Sequence, residues 1–131
     1  MWIDYNPNPI KARVGDCAVR AIAKTLDITW ERAYMLLCAN GFRMGDLPSS
    51  NLVTNATLRE YGYKKANVPN SCPDCFSISN FSENNQKGKF FVGTGRHVVA
   101  IEDGNYYDSW DSGDEPIAYV WYKDVAPIFD I

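Results

Sequence analysis

Histidine is almost missing from this chain. Among 131 residues there is one, His97, and glutamine is equally scarce, with Gln86 alone. A lone histidine leaves few nitrogen ligands for a tetrahedral zinc site. No apolar run approaches the ~20 residues that a membrane-spanning helix needs. No run of Lys or Arg exceeds two residues, and the net charge of −3 with a pI near 5.0 argues against a general nucleic-acid binder. The start, Met1-Trp2-Ile3-Asp4-Tyr5-Asn6-Pro7, lacks the basic region and apolar core of a signal peptide. These absences together predict a cytoplasmic chain with no membrane or nucleic-acid partner. In that compartment the four cysteines, Cys17, Cys38, Cys72 and Cys75, are expected as thiols and not as a disulfide framework.

What is present describes one soluble domain over residues 1–131. With 46% apolar and 22% charged residues, the chain can bury a core and stay in water. Residues 1–15 carry Pro7, Pro9, Asn6 and Asn8 without sustained periodicity and read as an ordered but irregular arm. From Asp16, a candidate N-cap, Ala18, Val19, Ile22, Ala23 and Leu26 recur at helical spacing. Thr29 caps a second predicted helix that runs to Gly41, and a third runs from about Asn51 to Tyr61, with Gly62 beyond it. Ser77 to Asn84 adds a short helix. The period then changes: Lys89–Gly93, His97–Glu102, Asn105–Trp110 and Ile117–Tyr122 read as strands. N-terminal helices packed on a C-terminal antiparallel sheet make an α+β fold.

The informative step is the Asp103-Gly104 turn, because a type I′ hairpin needs positive φ at both central residues. If those two form the loop, Glu102 pairs with Asn105. Counting back along both strands then sets Val99 opposite Asp108 and His97 opposite Trp110. Side chains on one face recur every second residue, so His97 and Asp108 become diagonal neighbours. A carboxylate there fixes the tautomer of the imidazole and stabilises its protonated form. Cys17, one residue into the first helix, meets the positive end of a helix dipole, which favours a thiolate. Its backbone N–H, with no intrahelical acceptor, is a candidate oxyanion donor. Taken singly, each group has an ordinary structural reading: a buried thiol, a satisfied histidine, a solvated aspartate. Together they predict acyl transfer, with Cys17 as nucleophile, His97 as general base and acid, Asp108 as orienting group and Trp110 as a shield against water.

These residues carry a family resemblance. A cysteine opening an N-terminal helix, followed by a late sheet with His97 and Asp108 on successive strands, resembles the papain-like cysteine peptidases. Asp108-Ser109-Trp110 looks like the Asn-Ser-Trp of that family. With aspartate in the third position, the triad is closer to those of bacteriocin-leader peptidases, transglutaminases and arylamine N-acetyltransferases. The stretches from Gly15 to Ala23 and from Tyr106 to Glu115 are also similar to small uncharacterised bacterial and phage proteins. The resemblance implies a papain-like fold and a peptidase or related acyl-transfer activity on a peptide or protein substrate. A catalytically inactive papain-like binding module, such as a phage-encoded inhibitor of a host protein, is the alternative. One departure stands out. The family places a glutamine six residues ahead of the nucleophile as second oxyanion donor, and that position here is Lys11. Asn6 and Asn8 of the arm, or Lys11 itself, are the candidates to replace it.

Cys72-Pro73-Asp74-Cys75 has the C-x-x-C spacing of a zinc or redox pair, but the ligands needed to complete a zinc site are lacking, and a pair of loop thiols is the better reading. Gly93-Thr94-Gly95 precedes a strand and not a helix, so it is no phosphate loop; its glycines suggest close backbone approach, beside substrate. The acidic residues Asp108, Asp111, Asp114 and Glu115 do not follow the calcium-loop spacing. The predicted chemistry requires no metal or organic cofactor.

Overall fold

Among the described residues, three of the four helix starts are capped by the hydroxyl of a short side chain. In a computed structural model describing residues 1–68 and 76–129, α1 spans Cys17–Leu26. It buries Ala18, Ala21, Ile22 and Ala23 and ends at Asp27 in a left-handed conformation. The expected Asp16 side-chain cap does not form. Its carboxylate is drawn to the Arg20 guanidinium and to Trp30 Nε1 at 2.9 Å, a charge-assisted partnership that outcompetes the helix N–H groups. α2 spans Trp30–Met44, with Thr29 Oγ1 accepting from Arg32 N at 3.1 Å. It runs past Gly41, and Gly45, at φ 66°, takes the left-handed cap instead. Gly41 is inside the helix for a different reason: a β-carbon there would lie 2.8 Å from the Asp46 carbonyl oxygen. α3 (Asn51–Glu60) starts from Ser50 and α4 (Ile78–Asn84) from Ser77, each hydroxyl accepting a first-turn N–H.

The strands among the described residues are β1 (Trp2–Asp4), β2 (Lys64–Asn67), β3 (Lys89–Gly93), β4 (Val98–Glu102), β5 (Asn105–Asp108) and β6 (Tyr119–Tyr122). They form one sheet in the order β1-β5-β4-β3-β6-β2. Two departures from expectation follow. The sheet is mixed and not purely antiparallel, because β1 lies parallel to β5. Residues 1–15 are therefore not irregular throughout: the N-terminal amine donates to the Gly104 carbonyl at 2.9 Å and Trp2 to Asp4 pair with Tyr106 to Asp108. The second addition is β2, an edge strand carrying Lys64 and Lys65, which suits an edge exposed to solvent.

The hairpin register is the one that Asp103-Gly104 dictates. Asp103 has φ 50° and Gly104 φ 81°, and Glu102 pairs with Asn105, Ile101 with Tyr106 and Ala100 with Tyr107. Alternation along the strands gives two apolar layers. Phe91, Val98 and Trp121 pack with Ile22, Leu37, Val53 and Leu58 from α1, α2 and α3. Phe90, Val92, Val99, Ile101 and Val120 pack with Ile78 and Phe81 of α4. The predicted helices-on-one-sheet arrangement is thus an α+β fold with helices on both faces. Ile22 is fully buried between α1 and the sheet, so Ile22→Ala is expected to cost about 2–5 kcal/mol in a denaturant titration, by removing methyl groups and leaving a cavity.

Candidate active site

Three elements end at one place. α1 begins with Cys17, β5 ends with Asp108, and His97 stands immediately before β4. The β3–β4 turn fixes His97: its N–H donates to Thr94 Oγ1 at 3.1 Å, its carbonyl accepts from Thr94 N at 2.9 Å, and Gly95 supplies φ 103°. Asp108 is fixed from the other side by the arm. Its carbonyl accepts from Tyr5 N at 2.9 Å and from Trp2 Nε1 at 3.0 Å.

The predicted diagonal contact between histidine and aspartate is made, with His97 Nε2 2.5 Å from Asp108 Oδ2. Asp108 has no solvent exposure and is compensated by four donors. Oδ2 also accepts from Ser112 Oγ at 2.6 Å, while Oδ1 accepts from Ser109 N at 2.8 Å and from Arg20 Nη2 at 3.1 Å. Burial alone would push this carboxyl up. The His97 and Ser112 hydrogen bonds, the imidazolium charge and the Ser109 N–H hold it below the usual carboxylate range.

Cys17 completes the site on the other side of the imidazole, where its half-buried thiol and His97 line the same two depressions. Nε2 is engaged by Asp108, so Nδ1 is the nitrogen that meets the sulfur. Burial works against the Cys17 thiolate, but the His97 hydrogen bond, the Val98 backbone and the charges of His97 and Arg20 outweigh it and hold the thiol below its ordinary value. Burial likewise works against the imidazolium. The hydrogen bonds to Asp108 and Cys17, with their charges, overturn this and push His97 from 6.5 to about 9. Both shifts act in the same sense, favouring a thiolate–imidazolium pair over the neutral pair. Trp110 lies beside it, with its ring centroid 5.1 Å from that of His97 at an interplanar angle of 41°. Trp110 itself is 45% exposed.

The three arm residues expected to replace the glutamine, Asn6, Asn8 and Lys11, do not line the depressions that contain Cys17. Asn6 donates its amide N–H groups to the carbonyls of Lys11 and Ala12, and Lys11 Nζ donates to the Asn6 carbonyl. Asn8 is buried and its Oδ1 accepts from Ile10 N at 3.0 Å. Neither asparagine lines the depressions that contain Cys17. The reason is local: a proline-rich segment without ladder partners satisfies its polar groups within itself. Gly93 also has a different role from the one expected. Its missing side chain makes room for Tyr119, whose hydroxyl would lie 2.3 Å from a β-carbon, and not for substrate. Cys72 and Cys75 lie outside the described residues.

The residues that sequence reasoning missed are Arg20 and Ser112. Arg20 was readable as the i+4 ion-pair partner of Asp16 on a helix, but its reach to Asp108 was not. Ser112 follows Asp108 by one tight turn and carries no pattern of its own. Two depressions open on the thiol: a small one of about 80 Å³ towards Ser49, Asn51, Thr54 and Tyr119, and a wider one of about 560 Å³ towards Arg13, Arg96, Ser109 and Trp110. An apolar hollow of about 390 Å³, walled by Val14, Val19, Trp30, Tyr34 and Leu37, lies on the α2 side of α1.

No protein-family model, curated protein or solved structure matches the chain.

The pH dependence follows from the two shifts. The thiolate contributes fully above the ordinary thiol range and is lost as pH falls through the lowered Cys17 value. The imidazolium contributes fully below 6.5 and is lost as pH rises through about 9. Between these limits Cys17 is expected to alkylate readily with iodoacetamide at pH 7. His97→Ala is expected to slow that reaction about tenfold, by returning the sulfur to a mostly protonated state. Equal rates in the two proteins, measured by mass spectrometry of the Cys17 peptide, would show that the imidazole does not activate the thiol.

Proposed function

We propose that this protein is a thiol-dependent acyl-transfer enzyme, in the first instance a cysteine peptidase or amide hydrolase of papain-like architecture. The observation that carries this reading is the convergence of Cys17 and His97 on the same depressions, with His97 held at 2.5 Å by a fully buried Asp108. Each group has the environment its role requires. The surroundings of the sulfur favour the anion that attacks a carbonyl, and the imidazolium supplies the proton that the leaving group needs.

In this reading the Cys17 sulfur attacks the acyl carbon, and the carbonyl oxygen gains the negative charge. The Cys17 backbone N–H stands at a helix start, suited to stabilise that oxygen. His97 Nδ1 then gives its proton to the departing amine, leaving a thioester on Cys17. Water, or an acceptor amine, next loses a proton to His97 and attacks the thioester, and collapse restores the thiolate–imidazolium pair. Asp108 stays ionised throughout, keeping Nε2 protonated and the ring aligned. Neither a metal nor an organic cofactor enters this sequence. Among the described residues no helix is long and apolar enough to cross a membrane.

The rival reading is a papain-like domain that binds a protein partner without performing chemistry. One observation favours it: the arm holds Lys11 where the family has its glutamine, and the donors of Asn6 and Lys11 are spent within the arm. Acyl transfer to the sulfur separates the two. With p-nitrophenyl acetate, the wild-type chain is expected to release a burst of nitrophenolate matched by an acetyl adduct on Cys17. Cys17→Ala should show neither, and His97→Ala should slow acylation about 10²–10⁴-fold. A folded wild-type protein that gives no burst and no adduct would overturn the enzyme reading.

A further inference from the structure

The wider depression beside the thiol has a charge character that the chain as a whole does not share. The protein carries a net charge of −3, yet this hollow is walled by Arg13, Arg20 and Arg96 together with His97, and no carboxylate lines it. The three arginines are not equivalent. Arg20 is buried and committed to Asp16 and Asp108. Arg13 and Arg96 are exposed, and among the described residues neither has an acidic partner. Arg13 is nevertheless positioned, because Nη1 donates to the Ser109 carbonyl at 2.9 Å, which ties the arm to the end of β5 beside Trp110. Arg96 stands in the β3–β4 turn, directly before His97. Two separate segments thus bring uncompensated guanidinium groups to one hollow that also holds the nucleophile. Asp16 and Asp108 are turned inward onto Arg20, and no aspartate or glutamate is among the residues that line the opening.

We infer that this hollow is an anion subsite that receives a carboxylate of the acyl substrate between Arg13 and Arg96, beside the carbonyl that Cys17 attacks. The inference rests on the proposed role of Cys17 and names the substrate class that role acts on. Guanidinium groups suit a carboxylate because their planar donors match its two oxygens. The carboxylate belongs either to an acidic side chain or to a free C-terminus next to the reacting bond, since both present the same group. An anionic substrate is also drawn to the opening over distance, against the repulsion of the acidic surface elsewhere.

Alkylation of Cys17 by chloroacetyl compounds tests the subsite without a known substrate. The sulfur forms a bond to the methylene carbon and chloride leaves with the bonding pair, so the rate reports how well each probe is held at the thiolate. Three probes separate the cases: N-chloroacetyl-glycine carries a terminal carboxylate, N-chloroacetyl-glutamic acid α-amide a side-chain carboxylate, and N-chloroacetyl-glutamine α-amide neither. At low ionic strength at least one carboxylate probe is expected to react about fivefold faster than the neutral one, and the preferred probe identifies which carboxylate is taken. The ratio should approach one in the Arg13→Gln, Arg96→Gln double variant, and also for the wild type at about 1 M salt. A preference absent from the wild type, or one that survives the double substitution because the imidazolium alone creates it, overturns the subsite. Slow reaction with all three probes overturns instead the nucleophile assignment beneath it.

Discussion

A carboxylate closed off from water is costly unless every oxygen lone pair finds a donor, and the compensation of Asp108 organises much of this molecule. Its donors come from four directions: the imidazole of His97, the hydroxyl of Ser112, the N–H of Ser109 and the guanidinium of Arg20. Two of them are supplied by the turn that follows β5. The other two arrive from the turn before β4 and from the second turn of α1. The packing of α1 on the sheet and the pairing of β4 with β5 are therefore requirements of one buried charge as well as consequences of apolar burial.

Charge alternates along this connection. Asp16 faces Arg20, Arg20 faces Asp108, Asp108 faces His97, and His97 faces Cys17. Each ion stabilises the next in a setting with little water to screen it. Removing an inner member would leave a neighbour buried and uncompensated, so Arg20 is as much a part of the site's electrostatics as the groups that touch substrate. The N-terminal arm closes the assembly from outside. Trp2 and Tyr5 hold the backbone of Asp108, and Arg13 holds that of Ser109, so a segment distant in sequence fixes the aspartate that positions the imidazole.

Much of this was legible wherever the determinant is local. Asp103-Gly104 has few alternatives to a two-residue hairpin turn, and the turn alone sets which residues of β4 and β5 share a face. Thr29 marks a helix start because its hydroxyl meets the N–H three residues ahead. The unreadable features depend on partners remote in the chain. β1 has three residues, too few to show a period, and is a strand only because β5 offers it an edge about a hundred residues later. Asp16 has the chemistry of a cap, but a guanidinium on the same helix and the indole of Trp30 compete for it, and only the packed geometry decides between them. Gly41 looks like a helix stop until the loop that crosses it is seen. Asn6 looks available as a donor because a sequence does not show that its amide turns onto the Lys11 and Ala12 carbonyls, nor that Asn8 is buried away from the thiol's depressions.

Having one histidine makes the central claim directly measurable. A titration of the His97 ring resonances by NMR needs no assignment among competing imidazoles. If the sulfur and the buried carboxylate both engage the ring, His97 should titrate near 9, and Cys17→Ala should lower that value by removing the thiolate. A midpoint near the ordinary 6.5 in the wild-type protein, unmoved by loss of the thiol, would contradict the coupled relay on which the account rests.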